Sequence, residues 1–306
     1  MLSGEKILVT GVTGTATLPL AEFLAKENEV WGLARFSDPE ARRRVESLGI
    51  TTRSVDLAQA DFSEVPDDFT YVLHFAHTRM PGGEFIPAIQ ANAVGAGRVL
   101  QHCRKAKGAL VASAGTVYSP HNEDVYRPFV EEDDIGRAHA PWAPTSPASK
   151  VSLEAVARFC ADGFSLPTTI VRINVLYGPL GGMPVTDMEL VVAAQPVVAF
   201  ADPYPASPIH ADDMCDQVEA LLDAASSPAL IVNWCGDEVV TQRQWCDIAG
   251  EICGEIPNID VHPVPTAACG SVGDTTRRIA ITGPCRADFR TKMEKIYSER
   301  FERPAT

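Results

Sequence analysis

The chain has 306 residues, 45% of them hydrophobic, and a formal net charge of −14. That length supports one large domain or two lobes around a substantial core, and the acidic balance excludes a general nucleic-acid or anionic-membrane surface. No apolar run approaches the roughly 20 residues that span a bilayer; Met1-Leu2-Ser3-Gly4-Glu5-Lys6 leads straight towards a strand without signal-peptide architecture, so a cytoplasmic protein is expected. The eight cysteines are scattered without a Cys-x-x-Cys pair, which suits reduced thiols and predicts no metal site.

In chain order, Lys6 to Thr10 reads as a short apolar strand, followed by a glycine turn and an amphipathic helix to about Lys26. Glu29 to Ala34 is a second strand. Asp38-Pro39 then opens a helix to Leu48, as an N-cap with proline at the first helical position. Thr51 to Val55, Tyr71 to Phe75 and Ala109 to Ser113 read as buried strands, with one long helix from about Glu84 to Lys105 between the last two. A helix from Pro147 to about Ala161 and a strand from Thr168 to Ile173 follow, and further helices are expected at about Asp212 to Ala224 and Gln242 to Cys253. Strands alternating with helices predict an α/β fold with a doubly wound parallel sheet. After Gly178 the pattern turns irregular. Residues 1–178, with returning segments at about 209–235, are therefore expected to form the sheet domain, and 179–306 mainly a smaller C-terminal substrate lobe.

The glycine turn Thr10-Gly11-Val12-Thr13-Gly14-Thr15-Ala16-Thr17 follows a strand and opens a helix, the context a dinucleotide fingerprint requires. Glycine lets backbone N–H groups of Thr13, Gly14 and Thr15 approach a pyrophosphate, and the helix N-terminus adds a favourable dipole. Arg35 ends the second strand, and the adjacent Ala34 offers no carboxylate to a ribose 2′-hydroxyl. Arginine accommodates a 2′-phosphate, so NADP is expected ahead of NAD.

Further segments follow in order: Asp56-Leu57, His74-Phe75-Ala76-His77, Asn92-Ala93-Val94-Gly95, Val111-Ala112-Ser113-Ala114-Gly115-Thr116-Val117-Tyr118, Ser146-Pro147-Ala148-Ser149-Lys150 and Arg172-Ile173-Asn174-Val175-Leu176-Tyr177-Gly178-Pro179. Together they resemble the extended short-chain dehydrogenase/reductase family, in its NAD-dependent epimerase/dehydratase branch, over nearly the whole chain. The resemblance implies a Rossmann-type fold and a nicotinamide dinucleotide. It implies cofactor contacts at Gly11, Thr13, Gly14, Thr15, Arg35, Asp56, Leu57, Phe75, Ala76, Asn92, Lys150 and Val175. It also implies a homodimer pairing the helices at about Glu84–Lys105 and Pro147–Ala161.

Three departures concern the chemistry. The family pattern Tyr-x-x-x-Lys keeps Lys150 but has Ser146 for the tyrosine that moves a proton to or from the substrate oxygen. The family's second catalytic Ser or Thr becomes Ala114, with Ser113 and Thr116 nearby, while His74-Phe75-Ala76-His77 resembles its His-x-Ala-Ala segment flanking the cofactor. A serine hydroxyl sits closer to the backbone than a phenol and is a far weaker acid. Ser146-Pro147 reads first as an N-cap with proline, and second as a catalytic hydroxyl. Tyr118, His77, Tyr177 or an ordered water are the candidate replacement acids. Ala206 stands where many relatives carry an arginine for a nucleotide-sugar diphosphate, which favours a small non-nucleotide substrate. Three functions stay open: an NADP-dependent oxidoreductase acting on a small carbonyl, alcohol or enone; a non-redox lyase or epimerase; and a cofactor-binding sensor without catalysis.

Overall fold

A computed structural model describes residues 2–80, 83–137, 139–264 and 267–302. Seven strands, β1 (Lys6–Thr10), β2 (Glu29–Ala34), β3 (Thr51–Ser54), β4 (Tyr71–His74), β5 (Gly108–Ala114), β6 (Thr168–Ile173) and β7 (Leu230–Trp234), form one sheet. Their order is β7-β6-β5-β4-β1-β2-β3, and every pairing is parallel. The interior strands read as continuous apolar runs because both faces are covered: Ile7, Leu8 and Val9 are all fully buried. Chain order reverses between β1 and β4, so the loops after these two strands flank the crevice where ligands bind in open α/β sheets.

Helices cover both faces. Α-helices α1 (Thr17–Ala25) and α2 (Pro39–Glu46) follow β1 and β2, and the Asp38 side chain accepts from the Glu40 N–H at 2.9 Å, as the Asp-Pro signal predicts. The long helix expected from Glu84 is not uniform. Here α3 comprises an α turn at Phe85–Ile89, a π turn at Gln90–Val94 and a regular segment at Gly95–His102. Such π turns recur at functional sites, and this one carries Asn92. Helix α4 (Ser146–Phe164) packs on β5 and β6. Among the described residues, no helix is long and apolar enough to cross a membrane.

In the remaining chain α5 (Met183–Val192), α7 (Gln242–Cys253) and α9 (Phe289–Tyr297) build a smaller lobe, while α6 (Ala211–Asp223) and α8 (Thr276–Thr282) pack by the sheet. Met214, Val218 and Leu221 of α6 belong to the core under the sheet. A separate core of Tyr177, Val185, Met188, Trp245, Phe289 and Met293 holds the lobe together. Irregular Pro and Gly between 179 and 184 hid α5 from the sequence pattern; Gly182 at φ +111° immediately precedes it and Pro184 sits in its first turn.

Candidate active site

A cavity of about 730 Å³ runs along the C-terminal edge of the sheet, from the glycine turn to Lys150. Its floor begins with Gly11, at φ +70°. A β-carbon there would stand 2.8 Å from both the backbone N and Cα of Ala76, so only glycine permits this approach. The Gly14 N–H donates to the Gly11 carbonyl at 2.9 Å, while the Gly14 carbonyl accepts from Thr17 and Leu18 at 3.0 and 2.9 Å. Thr13, Gly14 and Thr15 line the cavity at the start of α1. Thr17 is buried against the turn and opens the helix.

One end of the cavity is bordered by β2 and β3. Arg35 is exposed at its rim beside Ala34. Asp56 also lines it, with one carboxylate oxygen accepting from the Ala58 N–H at 3.0 Å, and Leu57 packs against Gly95 of α3. These residues form a concave, polar end built largely from loops following strands.

The segment after β4 is held from two sides. The Thr10 hydroxyl oxygen accepts from the Phe75 and Ala76 N–H groups, each at 3.2 Å, and lies 2.9 Å from His74 Nδ1. On the far side, Asn92 brackets Thr78: its carbonyl accepts from the Thr78 N–H at 2.7 Å and its amide donates to the Thr78 carbonyl at 2.9 Å. The same amide donates to Ser149 Oγ at 3.2 Å, joining the loop to α4. Between the two clamps sits His77. Its Nε2 lies 3.1 Å from Ser146 Oγ, and its Nδ1 is buried without a hydrogen-bond partner.

This contact corrects the reading of Ser146 as a cap. Thr145 occupies the N-cap position without a side-chain cap bond, Ser146 is the first helical residue, and Pro147 lies within the first turn. The serine side chain faces the cavity. Lys150, one turn on, is buried and donates to the Ala112 carbonyl at 2.5 Å. Burial pulls its ammonium down to about 8, against a smaller opposing pull from Glu154. Burial, reinforced by Lys150, Arg79 and His74, holds His77 down to about 3, so the imidazole is neutral near pH 7.

The other candidates divide. Ala114 and Thr116 line the same end, and the Thr116 hydroxyl is buried without a partner. Ser113 borders the cavity, but its hydroxyl donates to Glu154 Oε1 at 2.6 Å within a buried network. There Arg172 meets Glu154 through two hydrogen bonds of 2.9 and 2.8 Å. Tyr118 lies outside the lining residues: its hydroxyl donates to Asn233 at 2.5 Å, and the Arg172 guanidinium lies over its ring. Tyr177 also lies outside, packed against His210 and Phe289 in the smaller lobe. Val175 is likewise absent from the lining; its carbonyl accepts from the Ile209 N–H. His210 caps α6 by accepting from the Asp212 N–H at 3.0 Å, and Ala206 is fully buried in a short strand beside Val240.

Sequence reasoning passed over Thr78, Arg79 and Trp142, all lining the cavity. Thr78 and Arg79 continue the loop containing His77, and Trp142 is a large apolar residue in the irregular run Ala140-Pro141-Trp142-Ala143-Pro144, which was the available signal. Trp142 stacks on Phe200 with ring centroids 5.6 Å apart, bridging the sheet domain's long loop to the smaller lobe.

The parallel sheet, its reversal of strand order and the glycine turn at that reversal define a Rossmann-type α/β protein. Residues 7–232 match the model of the NAD dependent epimerase/dehydratase family, and the chain belongs to that family. Among solved structures, it is similar to UDP-glucuronic acid 4-epimerase from Bacillus cereus in complex with UDP-glucuronic acid and NAD: TM-score 0.82, 20% identity, covering 96% of this chain and 98% of that one. It is similar to UDP-N-acetylglucosamine 4-epimerase from Methanobrevibacter ruminantium M1, with TM-score 0.81, 17% identity and coverage of 96% and 97%. A third is dTDP-glucose 4,6-dehydratase from Bacillus anthracis in complex with NAD, with TM-score 0.79, 16% identity and 98% of each chain covered. No curated protein matches the sequence significantly. At these identities the structural likeness carries the fold.

Proposed function

We propose that this chain is an enzyme of the epimerase/dehydratase kind, holding a nicotinamide dinucleotide across the sheet edge and transforming an organic substrate beside Lys150. The observation that carries the reading is the continuous cavity from Gly11 to Lys150, with the glycine cradle at Ala76 along its floor. The residues present fit the cofactor. The glycine turn and α1 would hold the pyrophosphate, Arg35 and Asp56 would flank the adenosine, and Lys150 would reach the nicotinamide ribose. When bound, the dinucleotide supplies hydride acceptance and return. Lys150 contributes a buried positive charge, and the Ser146 hydroxyl lies at the reacting end beside His77.

The solved relatives support a reaction in which hydride leaves and returns within one turnover, since they are sugar-nucleotide epimerases and a dehydratase. Two of them, the Bacillus cereus epimerase and the Bacillus anthracis dehydratase, contain NAD, whereas Arg35 and the missing carboxylate at Ala34 favour NADP. A second reading, a net NADP(H)-dependent oxidoreductase of a small carbonyl, alcohol or enone, is favoured by one feature. The buried Ala206 gives a diphosphate no cation where many relatives place arginine.

Fluorescence titration with NADPH and NADH tests the cofactor, and analysis of nucleotide released on denaturation separates the two reactions. Retained nucleotide with no net oxidation or reduction supports the epimerase/dehydratase reading. Freely exchanging nucleotide consumed with a carbonyl panel supports the oxidoreductase, and failure to bind either nucleotide overturns both. The homodimer forms part of the proposal. Ile86 of α3 and Phe159 of α4 are 82% and 68% exposed, an apolar surface suited to the paired helices. Light scattering after size exclusion is expected to return twice the mass of 32.9 kDa.

A further inference from the structure

The cavity contains no tyrosine among its lining residues, and its titratable side chains are Arg35, Asp56, His77, Arg79 and Lys150. Arg35 and Asp56 follow β2 and β3, away from Lys150, and a guanidinium keeps its proton in proteins. His77 and Lys150 are left as proton carriers at the reacting end. Of these, His77 alone meets a cavity hydroxyl, with Nε2 at 3.1 Å from Ser146 Oγ. The hydroxyl is too short and too weakly acidic to stand in for a phenol by itself. Coupled to an imidazole it gains a proton acceptor.

We propose that Ser146 and His77 form the proton-transfer pair of this site. Serine touches the substrate oxygen, and histidine, acting through it, holds the proton. As a substrate alcohol is oxidised to a carbonyl, its hydroxyl proton passes to Ser146 Oγ while the serine proton passes to His77 Nε2. The C–H bond breaks at the same time, with its hydride going to the nicotinamide dinucleotide. Reduction reverses both transfers: the carbonyl oxygen takes the serine proton and serine is reprotonated by the imidazolium. Atoms and charge balance, and the imidazolium is a transient that returns its proton readily, because burial and the nearby Lys150 charge disfavour it.

Two features equip His77 for this role. The clamps at Thr10 and Asn92 fix the backbone on either side of it, so the imidazole is pre-positioned. Its Nδ1 is buried without a protein partner, so the protein contact that sets its tautomer is the one to Ser146 at Nε2. The exchange of sizes fits as well. Against the resembling pattern, position 146 shrinks from tyrosine to serine while position 77 grows from alanine to histidine, and the two side chains meet.

This inference rests on the proposed dinucleotide-dependent reaction, and its test separates the two. In the full-length protein labelled with [15N]histidine, the His77 ring resonances are recorded with and without NADPH or NADH, in wild type, Ser146→Ala and His77→Gln. Expected are ring nitrogen shifts that move in Ser146→Ala, with nucleotide affinity within about twofold of wild type in both variants. Turnover is followed with UDP-glucuronic acid, UDP-glucose and a panel of unphosphorylated ketones. Any compound processed by wild type is expected to lose about 100-fold in kcat in each variant, little in KM, and no further in the double variant. His77 resonances unchanged in Ser146→Ala would overturn the pair whether or not a panel compound reacts. So would single-variant turnover within threefold of wild type. Loss of nucleotide binding in wild type would instead sink the cofactor reading and leave the Ser146–His77 hydrogen bond to stand on the spectra.

Discussion

The two ends of the cavity were built under different rules. Around Gly11, Gly14, Asp56 and Asn92, each residue type agrees with what dinucleotide binding requires, and backbone geometry enforces it. Around Ser146, His77, Ala114 and Thr116, familiar positions carry unfamiliar side chains on the same supporting backbone. The difference teaches that the frame of a site and its chemistry vary separately: Lys150 and the Arg172–Glu154 pair persist beneath a rearranged set of proton donors.

Breaking the shared frame has the largest expected effect. Glu154→Ala leaves the fully buried Arg172 without its carboxylate partner, and a loss of about 3–5 kcal/mol in urea unfolding is expected. Gly11→Val strikes the glycine turn first, placing side-chain atoms on the Ala76 backbone. Its nucleotide affinity should fall about 100-fold or more, by fluorescence titration, in a chain that remains folded by circular dichroism. At the reacting end, Ser146→Tyr alone crowds His77 and should cost about 1–3 kcal/mol in thermal melts. The paired change Ser146→Tyr with His77→Ala is expected to recover most of it. Unchanged stability in the single variant would show that the two sites do not share space. Arg35→Asp should shift the NADPH-to-NADH affinity ratio about tenfold towards NADH; an unchanged ratio would remove Arg35 from the ribose site.

A further expected effect concerns pH. His74 and His77 are both held near 3, chiefly by burial, so the folded state binds these protons less readily than the unfolded chain does. Their contribution to stability is present above about pH 6.5 and is lost as pH falls towards 3. A His74→Asn, His77→Gln variant should therefore show a shallower acid limb in denaturant midpoints measured between pH 7 and 4.

Much of the frame was legible because it depends on short local patterns. Apolar runs gave β1, β2 and β6 with their observed bounds, and Asp38-Pro39 marked the start of α2. The π turn at Gln90–Val94 escaped because its residues have ordinary helical composition; its geometry comes from packing and from Asn92's bonds to Thr78 and Ser149. β7 lies within the returning segment expected at about 209–235, though its pairing with β6 from more than fifty residues away is not encoded by periodicity. The chemistry was only half legible. Sequence named Ser146 and His77 separately, but their meeting across the cavity is a tertiary fact. The cap signal in Ser146-Pro147 pointed elsewhere because Thr145, equally suited by type, took the cap position. Tyr118 and Tyr177 were plausible by residue type and were removed by direction, one tied to Asn233 and the other packed into the lobe core.

The contact of Gly11 with Ala76 has a mechanical consequence. Ala76 is joined to His77 by a single peptide bond, and the same strand end hangs from the Thr10 hydroxyl beside Gly11. The anion cradle and the imidazole therefore behave as one machined part with two working faces. A displacement of the turn by a few tenths of an ångström cannot be absorbed locally, because the planar peptide and the Asn92 bracket leave His77 little independent travel. Engineering the proposed nucleotide site would thus shift His77 as well, and variants selected at either face should be expected to carry compensating changes at the other.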